Sequence, residues 1–576
     1  MQRMTADRLA KLKMVFLAIP PAPRAAVAGI AITCAFFAFV LLLVRPAFGI
    51  NDDVTIIEMI RAGQIAPYVD STYGAVLHLL YAYVSPGFPW YGAWLLAVLG
   101  ISIALLISVA IHYYRGYVRL LLILLILGLN FPFIVTMDYS IVGIAGAASA
   151  IVVALILTLR DALTNLRVLL LGSFATVSMW LRLEGIVAAF VFVAPVMLTV
   201  FIIYLRRHEA RRLFRYAPLL LFAAPLVLSS VVDYVHKAEF SSSQYREYSE
   251  WNALRGEFHA YPISRINRNN PGVLSATGWS EADYDNLLNW FFIDERLYNV
   301  RSMTAFFDTA KPSTLSAYSM QYLVGRMTHL ATVYWYYWTL MLGALLFALS
   351  MKSDDRVQRW IYVFGPLYVF FFIFVMDAFL RYPERVARPS IGAFVLAYVF
   401  SIIELKKNHD TGELPIPKAP LTISMAAIAI GIFFVVQVAH DERTYWANTQ
   451  ITYERVLKHL NEKYPGYSIL IQPGGGLWTQ FQSPLDPYTT EFRPIEIGWQ
   501  TFSPLFYDQI HQLGVDKGYE MPSAMVNNAN ALILSRLTWS NRVVDYLHDR
   551  DHMPAAHKVL VEQLDRNLYL YRLVNP

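Results

Sequence analysis

The chain has 576 residues, of which 56% are hydrophobic and only 15% are charged. Soluble domains carry roughly 25% charged residues, so this composition excludes an ordinary globular protein and indicates an integral membrane protein. The net charge is a small +5, which does not suggest nucleic-acid binding, and the single cysteine, Cys34, excludes an intrachain disulfide.

The N-terminal segment combines basic residues with a long apolar run. Five basic residues lie at or before Arg24, and Ala25–Val44 then contains no charge. This run has 20 residues, whereas the apolar core of a cleaved signal peptide has about 7–15. We therefore expect an uncleaved first transmembrane helix.

Further apolar runs follow along the chain. A helix that spans the membrane needs about 20 consecutive apolar residues. We predict eleven spans, at 25–44, 92–111, 119–135, 139–159, 167–181, 185–205, 216–233, 328–350, 360–377, 388–404 and 420–439.

Basic residues recur in every second connection between these spans, as expected for cytoplasmic loops. They are Arg115, Arg119, Arg160, Arg167, Arg206, Arg207, Arg211, Arg212, Arg215, Lys352, Arg356, Arg359, Lys406, Lys407 and Lys418. The pattern predicts a cytoplasmic N-terminus and, because the number of spans is odd, an extracytoplasmic C-terminal segment.

Three regions on the predicted outer side are large. The loop 45–91 contains two amphipathic segments too short to span, which favours helices lying along the membrane surface. The loop 236–327 is polar and aromatic, and we expect short helices there. We predict a transmembrane domain over 1–440, which includes both loops, and a separate domain over 441–576.

The C-terminal region alternates helical and extended patterns. Residues 441–463 read as a helix, SILIQP, ALILS and NLYLYRLV read as strands, and SPLFYDQIHQLG and NRVVDYLHDRD read as helices between them. This alternation predicts a small extracytoplasmic α/β domain. The fold class is therefore a polytopic helical membrane protein with an α/β domain at its C-terminal end.

Asp52 and Asp53 follow the first span directly, in GINDDVTII. A hydrated stop after the span would account for them, but other charged residues gather at the same predicted face. These are Asp70, Asp138, Arg182, Glu184, Arg381, Glu384, Arg385 and Arg388. We therefore expect the pair to belong to a shared cavity at the outer interface.

This set of residue types suits one kind of chemistry. Arginine binds phosphate through a planar fork, and an aspartate can accept a proton from a hydroxyl group or hold a divalent cation. Together they predict transfer of a group from a lipid-linked phosphate, with the lipid tail between helices and the phosphate at the interface.

The acidic pair after the first span, the amphipathic helices behind it and the C-terminal domain resemble the GT-C superfamily of membrane glycosyltransferases. The layout is similar to that of bacterial arabinofuranosyltransferases. The resemblance implies a polyprenyl-phosphate-sugar donor, a site in the bacterial inner membrane, and Asp52 or Asp53 as the catalytic base. It also implies functional roles for Asp138 and for Arg381 or Arg385, the latter two at the donor phosphate.

Other candidates have a structural alternative. Arg182 and Glu184 either contact phosphate or sugar, or form an ion pair that caps two helices. His78 is a substrate-binding candidate or simply an interfacial histidine. No His/Cys cluster predicts zinc, so a cofactor, if there is one, would be an oxygen-bound cation such as Mg or Mn at Asp52 and Asp53.

Two other functions remain open at this stage. A transporter or flippase of a lipid-linked glycan would place charges near the membrane midplane or in repeated halves, and the chain shows neither pattern. A non-catalytic envelope-assembly scaffold would tolerate loss of both aspartates. The acceptor of the transferred sugar, whether a glycan, a lipid or a protein, is not determined by the sequence.

Overall fold

The computed structural model describes residues 21–49, 52–207, 217–261, 263–310, 320–350, 356–379, 382–406, 418–472, 482–487 and 489–576. Most of these residues are helical. All described strands longer than two residues lie in the C-terminal region.

Long apolar helices form the membrane part of the molecule. They are α1 (Pro21–Leu43), α4 (Trp90–Tyr113), α5 (Gly116–Val135), α6 (Tyr139–Leu159), α7 (Asn165–Leu181), α8 (Leu183–Arg207), α9 (Ala217–Phe240), α15 (Met320–Val333), α16 (Trp335–Ser350), α17 (Arg356–Phe379), α18 (Glu384–Lys406) and α19 (Lys418–Lys463).

The chain is a multi-pass membrane protein. Within the described residues, eight helices are long and apolar enough to cross a bilayer, or nine if α15 and α16, which meet at 75°, form one broken span. Among the described residues, the predicted spans at 167–181 and 360–377 fall on shorter apolar helical segments, Asn165–Leu181 and Val363–Phe379, which are only 17 residues long. A count of eleven therefore requires both shorter helices to span as well.

Short helices occupy the two large loops. The first loop contains α2 (Asp52–Arg61) and α3 (Ser71–Leu79), which continues into a π-helical turn at Leu80–Val84. The second loop contains α10 (Ser243–Ala260), α11 (Ile263–Ile266), α12 (Pro271–Thr277), α13 (Glu281–Leu288) and α14 (Val300–Thr309). Helices were expected in both regions.

The helix α19 has 46 residues and connects the bundle to the C-terminal domain. The sequence analysis divided it into a span at 420–439 and a second helix at 441–463. One continuous helix forms because the chain has no glycine or proline between Gly431 and Pro465. The predicted domain limit at 440 falls inside this helix.

A five-stranded sheet with helices between its strands forms the C-terminal domain, as expected. The strands are β3 (Ser468–Ile471), β4 (Arg493–Glu496), β5 (Ala531–Ser535), β6 (His557–Asp565) and β7 (Leu568–Val574), in the order β4-β3-β5-β7-β6. The helices are α20 (Pro504–His511), α21 (Met521–Val526), which follows a 3-10 turn at Gly518–Glu520, and α22 (Leu537–Asp549).

The sheet is mixed. Its β4-β3-β5 half is parallel, and its β5-β7-β6 half is antiparallel. The sequence analysis predicted β3, β5 and β7 but missed β4 and β6. In β4, RPIE has too few apolar residues to show a strand pattern, and β6 is interrupted by register shifts.

Helices α16 and α19 pack closely because each has a glycine at the contact. A Cβ atom built on Gly431 would lie 2.5 Å from the Cα atom of Leu340, and one on Gly343 would lie 2.9 Å from the backbone of Ala427. Small residues at helix contacts allow backbones to approach within a bilayer. This contact anchors α19, the helix that leads to the α/β domain, on the bundle.

We expect Gly431→Ala to destabilise the protein, because the added methyl group meets backbone atoms of Leu340 that cannot rotate away. Overpacking of this kind costs about 1–3 kcal/mol. The measurement is the thermal midpoint of unfolding in detergent. Gly325→Ala is the matched control, since it is also a helical glycine and a Cβ atom there would meet nothing within 4 Å. Equal midpoints for the two variants would contradict the close contact.

Candidate functional site

Two short strands bring the acidic segments together. β1 (Ala47–Phe48) pairs in parallel with β2 (Thr136–Met137), and the amide nitrogen of Gly49 donates to the carbonyl oxygen of Met137 at 2.7 Å. β1 runs towards the acidic pair that begins α2, and β2 runs directly into Asp138. The ladder therefore places acidic residues from two distant connections at the end of the bundle nearest the α/β domain, which we call the domain-side end.

Asp138 is buried and caps helix α6. Its Oδ1 atom accepts hydrogen bonds from the backbone nitrogens of Ser140 and Ile141, at 2.7 and 2.8 Å. Such a cap satisfies amide groups that the first turn of a helix leaves free. The other carboxylate oxygen, Oδ2, has no hydrogen-bond partner in the described part of the chain. Asp138 thus fixes the start of α6 and keeps one oxygen atom unused.

Asp53 is fully buried beside Asp138. Its Oδ1 atom accepts a hydrogen bond from the Tyr91 hydroxyl group at 2.7 Å and one from the backbone nitrogen of Tyr139 at 3.2 Å. Its Oδ2 atom has no hydrogen-bond partner among the described residues. Burial, and after it the negative charge of Asp138, raise the pKa of Asp53 well above its usual range. Burial also raises the pKa of Asp138.

This buried acid pair predicts a pH-dependent stability. A carboxyl group whose pKa is raised by folding holds its proton more tightly in the folded state, so the free energy of unfolding falls as pH rises above the ordinary value of about 3.9. Each unit by which folding raises the pKa lowers the free energy of unfolding by about 1.4 kcal/mol once the group is ionised in both the folded and the unfolded state. We expect the thermal midpoint of the wild-type protein to fall as the pH is raised from about 4 towards neutrality.

In Asp53→Asn this decrease should be smaller, because the amide retains an oxygen atom for Tyr91 and Tyr139 and removes the charge that Asp138 opposes. Thermal scans of both proteins across this pH range provide the measurement. An identical pH slope for wild type and variant would show that Asp53 does not titrate in this way.

The neighbouring Asp52 has a different environment. Its Oδ2 atom lies 3.0 Å from the Nη1 atom of Arg385, and both side chains are about 16% exposed. The two residues are 333 positions apart in the chain. The sequence analysis could not distinguish the two acids, whereas the structure gives Asp52 a cationic partner and access to solvent and buries Asp53.

Arg182 and Arg385 both lie near the ring of Tyr139. The Nη1 atom of Arg182 donates to the Ser140 hydroxyl oxygen at 2.7 Å. The guanidinium carbon atoms of Arg182 and Arg385 lie 5.6 and 5.7 Å from the ring centroid of Tyr139. The two arginines therefore converge on one aromatic ring next to Asp52. Two guanidinium groups near one ring suit an anion with several oxygen atoms, such as a phosphate.

Glu184 contributes little to this arrangement. Its carboxylate lies 3.4 Å from the Nε atom of Arg182, and its side chain is 74% exposed. Pairs this exposed contribute about 0–1 kcal/mol. The predicted ion pair is present, and it leaves the Nη1 atom of Arg182 directed at Ser140.

The remaining predicted residues lie in different places. The Nδ1 atom of His78 is 2.9 Å from the carbonyl oxygen of Ile60, and a Cβ atom on Gly63 would lie 3.1 Å from the imidazole ring. His78 thus holds α3 against α2, which favours the structural alternative for this residue. Arg381 lies outside the described residues. One turn beyond Arg385, Arg388 pairs with Glu384 and Glu442.

The predicted cation ligands do not form a common site. Asp52 faces Arg385, whereas Asp53 faces Tyr91 and the start of α6. Within the described chain, no group of three or more histidine, cysteine or acidic side chains is arranged to hold a metal ion.

A second group of residues, on helix α10 and in the first loop, lies next to the site and was not predicted from the sequence. Arg255 is buried, and its Nη2 atom donates to the Tyr68 hydroxyl oxygen at 3.1 Å while its guanidinium group lies 5.0 Å above the Trp290 ring. Tyr248 interacts electrostatically with Tyr68, Arg255 and Asp52. The spacing of Tyr248, Trp251 and Arg255 places them on one face of helix α10. This spacing is the sequence pattern from which the second group could have been predicted.

Comparison with known proteins finds no matching family model and no matching curated protein. Two solved structures are similar along 95% of this chain and 97% of their own. They are ArnT from Cupriavidus metallidurans bound to undecaprenyl phosphate, at 11% sequence identity and a TM-score of 0.39, and the same protein in the apo state, at 11% and 0.41. A similarity of this size gives no information on the reaction, which has to be inferred from the residues of the site.

Proposed function

We propose that the protein is a membrane glycosyltransferase of the GT-C type, which moves a sugar from a polyprenyl-phosphate donor to an acceptor hydroxyl group. The reaction would take place on the outer face of a bacterial inner membrane, with the N-terminus in the cytoplasm. The observation that carries the proposal is the grouping of Asp52, Arg385, Tyr139 and Arg182 at the domain-side end of the bundle.

Asp52 is the proposed base. Asp52 contacts Arg385, and its partial exposure leaves its carboxylate within reach of a substrate hydroxyl group. The acceptor hydroxyl group transfers its proton to a carboxylate oxygen of Asp52, and its oxygen atom forms a bond to the anomeric carbon of the donor. The bond from that carbon to the phosphate oxygen breaks, and its electron pair leaves with polyprenyl phosphate.

Arg385 and Arg182 are the proposed phosphate ligands. Charge develops on the leaving phosphate as the glycosidic bond breaks, and preorganised cations at this position stabilise the transition state. When the donor binds, its phosphate would share Arg385 with Asp52. Direct displacement by a single nucleophile inverts the configuration of the anomeric centre.

Asp53 and Asp138 are proposed to position the base rather than to react. Asp53 is fully buried, so a substrate hydroxyl group cannot reach it. Its contacts with Tyr91 and the start of α6 fix the first turn of α2, on which Asp52 lies.

The transferred sugar and its acceptor belong to the finer part of the proposal. A pentose such as arabinofuranose is the first donor sugar to test, because the layout of the chain resembles arabinofuranosyltransferases. The acceptor would be a hydroxyl group of a cell-envelope glycan, lipid or protein. The α/β domain would take part in acceptor binding, since the Thr55 hydroxyl group on α2 donates to Glu496 of that domain at 3.1 Å.

The test is a transfer assay with the full chain in lipid vesicles. Radiolabelled polyprenyl-phosphate arabinofuranose and a polyprenyl-phosphate hexose serve as donors, with an extract of envelope glycolipids as acceptor. We expect label in the acceptor fraction and release of polyprenyl phosphate. Movement of intact donor across the vesicle membrane without bond cleavage would identify a flippase and overturn the proposal, and so would the absence of both processes with every donor.

A further inference from the structure

A cavity of about 340 Å³ lies between the second loop and the α/β domain, away from the acidic pair. Its walls include the aromatic side chains of Tyr248, Trp251, Tyr298, Phe502 and Tyr507. The first four are buried, whereas Tyr507 is partly exposed. Ligand pockets typically enclose about 300–1,000 Å³, so this cavity has the size for a small ligand or one short segment of a longer molecule.

Polar side chains surround the aromatic walls. Glu247, Glu295, His511, Asp516 and Lys517 line the cavity, and all of them are at least partly exposed. The Nδ1 atom of His511 lies 2.9 Å from a carboxylate oxygen of Asp516. Three carboxylates face one lysine and one histidine, so the cavity favours ligands that donate hydrogen bonds and disfavours acidic ligands.

The backbone at the cavity wall is strained at one residue. Phe502 has a φ of 69°, in the left-handed region that a bulky residue rarely adopts. Its ring packs on that of Trp251, with centroids 4.9 Å apart. Residues held in this way cluster at ligand-binding positions, where the surrounding structure compensates for the strain. Phe502 and Trp251 form two aromatic walls of the cavity that pack against each other.

A chain of side-chain contacts leads from the cavity wall to Tyr68 and Arg255. Tyr248 lines the cavity, and its hydroxyl group donates to the carbonyl oxygen of Trp499 at 3.1 Å. The Trp499 ring packs edge-on against Tyr68 at 4.9 Å, and Tyr68 accepts a hydrogen bond from Arg255. The cavity wall and the Tyr68–Arg255 pair are thus connected through Trp499.

We propose that this cavity is a binding site for a short neutral saccharide. Sugar rings present C–H faces that pack on aromatic rings, and their hydroxyl groups donate hydrogen bonds to carboxylates, and the cavity wall offers both kinds of side chain. The further statement that this saccharide is part of the acceptor glycan rests on the proposed function. The cavity would then hold sugar units beyond the one that carries the reacting hydroxyl group.

The test measures saccharide binding without any transfer step. The full chain is prepared in a detergent that has no sugar headgroup, and saturation-transfer NMR is recorded with maltotriose, N,N′-diacetylchitobiose and glucuronic acid as probes. We expect binding of at least one neutral probe and weaker or no binding of the acid. Tyr507→Ala and Glu247→Gln should each weaken binding of the neutral probe by about tenfold.

Glu250→Gln is the matched control, because Glu250 is exposed on the same helix as Glu247 and does not line the cavity. We expect this variant to bind the probe as the wild type does. Since Glu247 is exposed, its substitution tests the site even if Tyr507→Ala does not fold. No binding of either neutral probe, unchanged binding in both cavity variants, or preferred binding of the acid would overturn the proposal. Saccharide binding without sugar transfer would contradict only the proposed function.

Discussion

Asp52→Asn is expected to reduce the rate of sugar transfer by about 10²–10⁴-fold, the range that a general base contributes. The amide has nearly the shape of the carboxylate but cannot accept the proton of the acceptor hydroxyl group. The measurement is kcat in the vesicle assay, together with the binding constant of the donor. Donor binding should change much less than kcat, because the amide leaves Arg385 free for the phosphate.

Asp53→Asn is the matched control for this variant, since it makes the same change in the next residue of the same helix turn. We expect it to reduce kcat by less than about tenfold, because an asparagine can still accept from the Tyr91 hydroxyl group and the Tyr139 amide. The reverse order, with Asp53→Asn inactive and Asp52→Asn near wild type, would transfer the role of base to the buried acid. Full activity of both variants would remove the catalytic role of the pair.

Arg385→Lys is expected to lower kcat/KM for the donor by about 10²–10³-fold, the effect of removing one preorganised contact to a developing negative charge. Lysine retains the positive charge but lacks the planar fork that binds two oxygen atoms. The measurement is the concentration dependence of the initial transfer rate. Arg385 also pairs with Asp52, so the loss combines weaker phosphate binding with a less well-oriented base.

Arg388→Lys is the control for this effect. Arg388 lies one turn further along α18, is similarly buried and pairs with Glu384 and Glu442 instead of Asp52. We expect it to lower thermal stability with a much smaller effect on kcat/KM. A double variant separates the two roles of Arg385: if it acted only by orienting the base, Arg385→Lys would have no further effect in the Asp52→Asn protein. That result would exclude its role as a phosphate ligand.

The site depends on contacts between parts of the chain that are far apart in sequence. Asp52 and Asp53 are adjacent, yet one faces an arginine of α18 and the other faces Tyr91 on α4. The difference arises because successive residues of a helix point in directions about 100° apart. No sequence spacing encodes which direction leads to solvent and which leads into the bundle.

Local pattern was sufficient wherever a segment interacts mainly with the membrane or with its own neighbours. Long charge-free runs became helices, the amphipathic segments of the first loop became α2 and α3, and the predicted strands β3, β5 and β7 are buried at the centre of their sheet. The strand β4 escaped detection because RPIE owes its extended form to pairing with β3 rather than to its own residues.

The sequence by itself determined that this is a membrane protein of many spans with an α/β domain at its end, because hydrophobic run length and strand periodicity are local properties of the chain. It also identified the acids and arginines as candidates. Only the tertiary structure decided that Asp52 contacts Arg385 while Asp53 is buried. It also decided that His78 connects two helices, and that Arg255 and Tyr248 lie next to the site. These facts depend on long-range packing. Which side chains are buried, and which charges pair, is decided by contacts between segments that are far apart in the sequence.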